Sequence, residues 1–290
     1  MEIQINLIYK IMANNNLPAL KSALNAPSVK AKFEEMLGKR SSQFMTSITS
    51  VVTNNTLLQK ADVNSIIMGS AVAASMDLPL NPNLGYAALV PFNSKDGCFA
   101  QLQIMVKGWT ELFLRSGQCQ SIICETVYEG QLVKKNKFTG EYVFDEDAKK
   151  SDKIIGFMAY FKLTNGFEKY DYMTVEEVKA HAQRFSQTYR KGAGIWKDHF
   201  EAMAQKTVLK RLLTKYAPKS IEMQQMAIFD QSVIKGSVDR IDEATPDYAD
   251  NKDSVIETTD FEEVESVEVD TETGEIVDAK AETPIEEDDF

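Results

Sequence analysis

The stretch 80-LNPNLGYAALVPFNSKDGCFAQLQIMVKGWTELFLRSGQ-118 decides the fold class. Pro82 and Gly85 punctuate a loop, and two apolar runs, 86–92 and 98–106, flank NSKDG. β-branched and aromatic runs separated by a short polar, Gly-containing link read as a β-hairpin, here with a five-residue loop. The periodicity then changes. KGWTELFLRSG (107–117) carries apolar residues at helical spacing and ends at Gly117, a residue suited to the left-handed backbone that terminates helices. A hairpin feeding directly into a helix excludes an all-α or all-β chain.

Working outward, the N-terminal side reads as helical. Ser28 is placed to cap a helix through Leu37, a second helix covers about 42–54, and Asp62 is placed to cap ADVNSIIMGSAVAASM. That last segment is small or apolar on most sides, the mark of a buried helix. On the C-terminal side, QSIICETVYEG and QLVKKNKFTGEYVF give further strands, and KIIGFMAYFKL with FEKYDYM forms a hairpin around TNG. Thr174 and Glu177 have capping-box spacing and open a helix. A last helix is expected from Ile195 to Tyr216, stopped by Pro218. The expected architecture is α+β, in three parts. Residues 1–77 form a helical region, a candidate for contacts between protomers. Residues 78–236 form a core with an antiparallel meander, one interposed helix and C-terminal helices. Residues 237–290 form an acidic tail.

The charge is segregated. The chain carries −11 overall, but residues 237–290 hold 21 acids and three bases, whereas residues 1–236 hold 22 acids and 29 bases. A tail so charged and so poor in aromatics cannot bury enough apolar surface to offset its ordering entropy, so disorder is expected there, with a transient hairpin around VEVDTETGEIVD. A tail of this charge could also compete with a polyanion for the basic body. Its end, PIEEDDF, loosely resembles the acidic tip of bacterial single-stranded-DNA-binding proteins.

Motifs for catalysis are sparse. His181 and His199 have no metal-ligand spacing, and LGKRSS (37–42) fails as a phosphate-binding loop because Phe33 stands at its first glycine and Arg40 at its Ser/Thr. No cofactor is expected. Three cysteines (98, 119 and 124) without CxxC spacing suggest reduced thiols and a cytoplasmic chain, and no run is long enough to span a bilayer.

Basic charge is instead concentrated between Lys179 and Lys219, where ten Lys or Arg face only Asp198 and Glu201. In MAQKTVLKRLLTKYAPKS (203–220), helical spacing puts Val208, Leu209, Leu212, Leu213 and Tyr216 on one face. Lys206, Thr207, Lys210, Arg211, Thr214 and Lys215 fall opposite. A core-facing stripe with a Lys/Thr/Arg face behind it suits a phosphate backbone. Arg184, Arg190, Lys191 and Lys197 lie in the preceding segment, Lys107 and Arg115 bracket Trp109, and Lys134, Lys135 and Lys137 cluster in a turn. These are the candidate DNA-binding residues, with Phe185 and Trp196 as core packing or wedges.

Three ordered segments, LNPNLGYAALVPF (80–92), QLQIMVKGWTELFLRSGQ (101–118) and MAQKTVLKRLLTKYAP (203–218), resemble the RecT family of phage and prophage single-strand DNA annealing proteins. The resemblance covers about residues 30–235. It implies a β-β-β-α-like core and a recombinase that needs no ATP, coats single-stranded DNA, oligomerises into rings or filaments, and pairs complementary strands into duplex. It further implies a partner exonuclease and a link to the host single-stranded-DNA-binding protein. A structural or scaffolding phage protein, whose basic face binds an acidic partner, is the alternative.

Overall fold

A computed structural model describes residues 15–136, 138–192, 195–218 and 220–248. Among the described residues four α-helices come first: α1 Leu17–Leu24, α2 Pro27–Leu37, α3 Ser41–Thr53 and α4 Val63–Ser75. Asp62 caps α4 as expected, its carboxylate accepting from the Ser65 amide. Ser28 does not cap α2. That helix begins at Pro27, whose fixed φ and missing N–H suit the first helical position, after Ala26 in extended backbone.

The hairpin that decides the class is β1 Ala87–Ser94 with β2 Gly97–Ile104. The strands run further than the sequence suggests. Ser94 pairs with Gly97, which shrinks the expected five-residue loop to Lys95 and Asp96, and Gly97 takes φ 137°, open to glycine. Helix α5 (Val106–Arg115) follows at once. Gly108 is required there, because a Cβ at that position would stand 2.3 Å from the Tyr86 carbonyl oxygen.

Next come β3 Cys119–Tyr128, β4 Leu132–Asn136, β5 Glu141–Phe144, β6 Ile154–Leu163 and β7 Glu168–Thr174. Helix α6 (Val175–Phe185) opens with the expected Thr174/Glu177 capping box. Two four-residue helices, α7 Gln187–Arg190 and α8 Ile195–Asp198, lead to α9 Phe200–Tyr216. The single helix expected over 195–216 is therefore broken, at His199, where φ −137° and ψ 54° leave the helical region. Beyond Pro218 the chain adds α10 Ile221–Phe229, β8 Ser232–Lys235 and β9 Thr245–Asp247.

The expected α+β class is found. The strands fall into two antiparallel sheets, ordered β1-β2-β8-β9 and β3-β6-β7, with β4-β5 as a separate hairpin. Helix α4 packs on the first sheet and α9 on the second, with α5 against α9. One continuous core joins them, from Leu20 and Phe33 through Trp109 and Phe161 to Leu212 and Met226. The folded body does not stop at residue 236, where composition placed its end. Val238 is buried in the core and β9 pairs with β8, so the fold uses the first residues of the acidic segment. The sequence VEVDTETGEIVD lies outside the described residues, among which no helix is long and apolar enough to cross a membrane.

Candidate nucleic-acid interface

Helix α9 buries the predicted stripe of Val208, Leu209, Leu212 and Leu213 against β6 and β7. Its opposite side is not the open cationic face expected from helical spacing. Lys206 is only 7% exposed, and its partner is Asp230, the fully buried residue at the C-terminus of α10. One Asp230 oxygen lies 3.9 Å from the Lys206 ammonium and accepts the Ile104 amide at 2.8 Å; the other accepts from Lys210 at 2.6 Å. Burial opposes ionisation of this carboxyl, yet the two lysines and the donated hydrogen bonds together hold it below the usual carboxylate range. Burial and the neighbouring Lys210 charge lower the Lys206 ammonium, and Asp230 offsets this only in part.

Arg211 is also engaged. Its Nε and Nη2 donate to the two oxygens of Asp171, both at 2.6 Å, and Nη2 donates to the Tyr172 carbonyl at 3.2 Å. Thr207 and Thr214 turn their hydroxyls back to the carbonyls of Met203 and Lys210, four residues earlier. Of the predicted face, Lys215 alone is exposed and free of a carboxylate partner among the described residues, its ammonium 5.2 Å from the Tyr216 ring. The acids that occupy this face were invisible to a helical wheel because they lie 20 and 40 residues away in sequence.

The other predicted cations divide in the same way. Arg115 donates to the carbonyls of Met76 and Asp77, just past the C-terminus of α4, and pairs with Glu111 at 3.0 Å, so it fastens α5 to α4. Lys107 is exposed, with its stem against Gly85. Lys134 pairs with Glu141 at 2.9 Å, and Lys135 sits 5.0 Å from the centre of the Tyr172 ring. Lys137 and Lys219 lie outside the described residues.

Arg184, Arg190, Lys191 and Lys197 are all exposed around α6, α7 and α8. Arg190 donates to the carbonyls of Gln183 and Arg184, closing the end of α6. Among the described residues, none of Arg184, Lys191 and Lys197 is ion-paired to a carboxylate. An aromatic cluster supports this basic corner. Trp196 is buried and packs on Tyr189 and Phe200 at about 6.1 Å, and Phe200 packs on Phe157, so Trp196 is core rather than a wedge. His181 packs at a tilt against Phe185, ring centres 4.6 Å apart. Burial, then the charges of Lys210, Arg211 and Arg184, depress its imidazole to about 4, which keeps it neutral near pH 7.

One feature has no counterpart among the predicted site residues. Tyr142 and Phe144 of the β4-β5 hairpin lie on Tyr170 and Tyr172 of β7, with ring centres 6.1–6.2 Å apart. Tyr172 fits across the sheet because Gly156 has no side chain; a Cβ there would be 2.4 Å from the Tyr172 hydroxyl. The alternating aromatics of EYVF and YDY were the available signal, since residues two apart on a strand share a face.

The RecT family matches residues 42–256, which among the described residues takes in every strand, both sheets, α3 from its second residue and helices α4 to α10. "Uncharacterized protein YqaK" of Bacillus subtilis (strain 168) is 43% identical over 225 residues, covering 78% of this chain and 76% of that protein. "Protein RecT" of Escherichia coli (strain K12) is 28% identical over 224 residues, covering 72% of this chain and 79% of that protein.

Proposed function

The chain belongs to the RecT family, and from that premise we propose that it binds single-stranded DNA and anneals complementary strands during recombination without nucleotide hydrolysis. The observation that carries this reading is the family match across the whole strand-bearing body, which also holds the carboxylate-free cations Arg184, Lys191 and Lys197. Cations held at a surface without neutralising partners favour a polyanion and release its counterions on binding.

Annealing needs the phosphates held and the pairing edges of the bases left free. Arg184, Arg190, Lys191 and Lys197, with Lys107, Lys135 and Lys215, are the side chains proposed to hold the backbone. Stacking in the new duplex releases about 1.4 kcal/mol per base-pair step, enough to drive pairing without ATP. A continuous track for a long strand requires copies side by side, so assembly into a filament or ring belongs to the mechanism. Helices α1 and α2, which precede the family match, are the proposed contact between copies. An exonuclease that exposes the strand and the host single-stranded-DNA-binding protein are proposed partners in a bacterial cytoplasm, with a phage or prophage as the source.

The test is direct. Two complementary oligonucleotides mixed with the protein in the absence of ATP should form duplex faster than they do alone, followed by quenching of a paired dye. No acceleration would favour the alternative, a scaffolding protein whose basic face binds an acidic partner.

A further inference from the structure

The sheet β3-β6-β7 has two unlike faces. Phe157, Ala159 and Phe161 point into the core beneath α9 and α6. On the other face the register aligns Ile123 of β3, Tyr160 of β6 and Tyr170 of β7 across three strands. Ile123 is 46% exposed, and Tyr160 and Tyr170 are half-buried. The β4-β5 hairpin covers Tyr172 and continues the row. Ring centres run from Tyr160 to Tyr170 at 4.4 Å, to Phe144 at 6.1 Å and to Tyr142 at 6.3 Å, the last pair only 9° from parallel.

We propose that this row is a base-stacking platform for single-stranded DNA, separate from the cations that hold its phosphates. The inference rests on the annealing function proposed above. The surroundings of the rings identify the occupant. Lys135 lies 5.0 Å from the ring of Tyr172, which the hairpin covers, and has no carboxylate partner among the described residues. Half-open aromatic rings with such a lysine at their edge match the two parts of a nucleotide, a flat base and a phosphate. The Tyr160 hydroxyl donates to Glu168 at 2.7 Å, which fixes the ring before any ligand arrives. Stacking is tolerant of sequence because every base has a π face. It also occupies that face while leaving the hydrogen-bonding edge exposed, which an annealing protein requires.

The experiment compares the full chain with the double variants Tyr160→Leu/Tyr170→Leu and Tyr160→Phe/Tyr170→Phe. Binding to a labelled oligo-dT and to an abasic strand of equal length is measured at two salt concentrations, after circular dichroism has shown that each variant is folded. The leucine variant should bind oligo-dT roughly tenfold or more weakly, with the salt slope unchanged, since stacking releases no counterions. The phenylalanine variant should bind like the parent, and binding to the abasic strand should be the same for all three. Parent-like binding of oligo-dT by the leucine variant would overturn the platform and leave the annealing function standing. A changed oligomeric size with unchanged affinity would also overturn it, by assigning the face to a second copy of the chain. Failure of the parent to bind either strand would remove the annealing function, and the platform with it.

Discussion

Asp230 shows how one buried residue redirects a motif. Its carboxylate has three partners, the ammonium groups of Lys206 and Lys210 and the Ile104 amide, and so ties α9 and α10 to β2. Removing one member of a buried ion pair leaves the other charge uncompensated, which costs about 3–5 kcal/mol. Asp230→Ala should therefore lower stability by that order, read from the urea midpoint. Lys206→Met should behave differently. It deletes a buried cation whose protonated form is already disfavoured and leaves Asp230 bonded to Lys210 and Ile104, so its effect should stay within about 1 kcal/mol. A large loss from Lys206→Met would mean that the 3.9 Å pair, rather than the 2.6 Å one, holds the junction.

At the scale of elements, the fold separates the cations of α9 from those of the α6–α8 corner, which sequence groups together. Helix α9 is basic by composition, yet Lys206, Lys210 and Arg211 are spent on Asp230 and Asp171. Replacing Lys210 and Arg211 with alanine would break an ion pair at each site, so weaker DNA binding in that variant could come from the fold. The corner offers a cleaner probe. Arg184→Ala/Lys191→Ala/Lys197→Ala removes three exposed cations that have no carboxylate partner among the described residues. The variant should melt like the parent and bind single strands more weakly. Each lost phosphate contact contributes about 0.7 to the slope of log affinity against log salt, so the slope should flatten by roughly 2. An unchanged slope in a folded triple variant would remove the corner from the interface. Elements with local signals were legible beforehand. The Asp62 cap, the Thr174/Glu177 capping box and the β6-β7 hairpin around TNG each depend on residues within a few positions of one another.

Across the whole molecule, the charge boundary and the fold boundary differ. Composition places the boundary at residue 237, but Val238 is buried, Lys235 pairs with Asp247 at 2.7 Å, and β9 extends the first sheet. A chain cut after Gly236 loses the burial of Val238, worth about 1.5–3 kcal/mol, together with the edge strand. Its melting temperature should fall by about 4 °C or more. A chain cut after Tyr248 should melt like the full chain. Equal melting of the two truncations would show that β9 adds nothing to the fold. By itself the sequence determined the α+β class, the caps at Asp62 and Thr174, the segregation of charge and the motifs shared with the RecT family, because propensity, periodicity and composition act over short separations. Only the tertiary structure decided which cations reach solvent, since whether a lysine or arginine is paired or free depends on acids that the fold brings from 20 and 40 residues away. It likewise decided the aromatic row, whose four rings come from three strands and meet only when the hairpin folds back over β7.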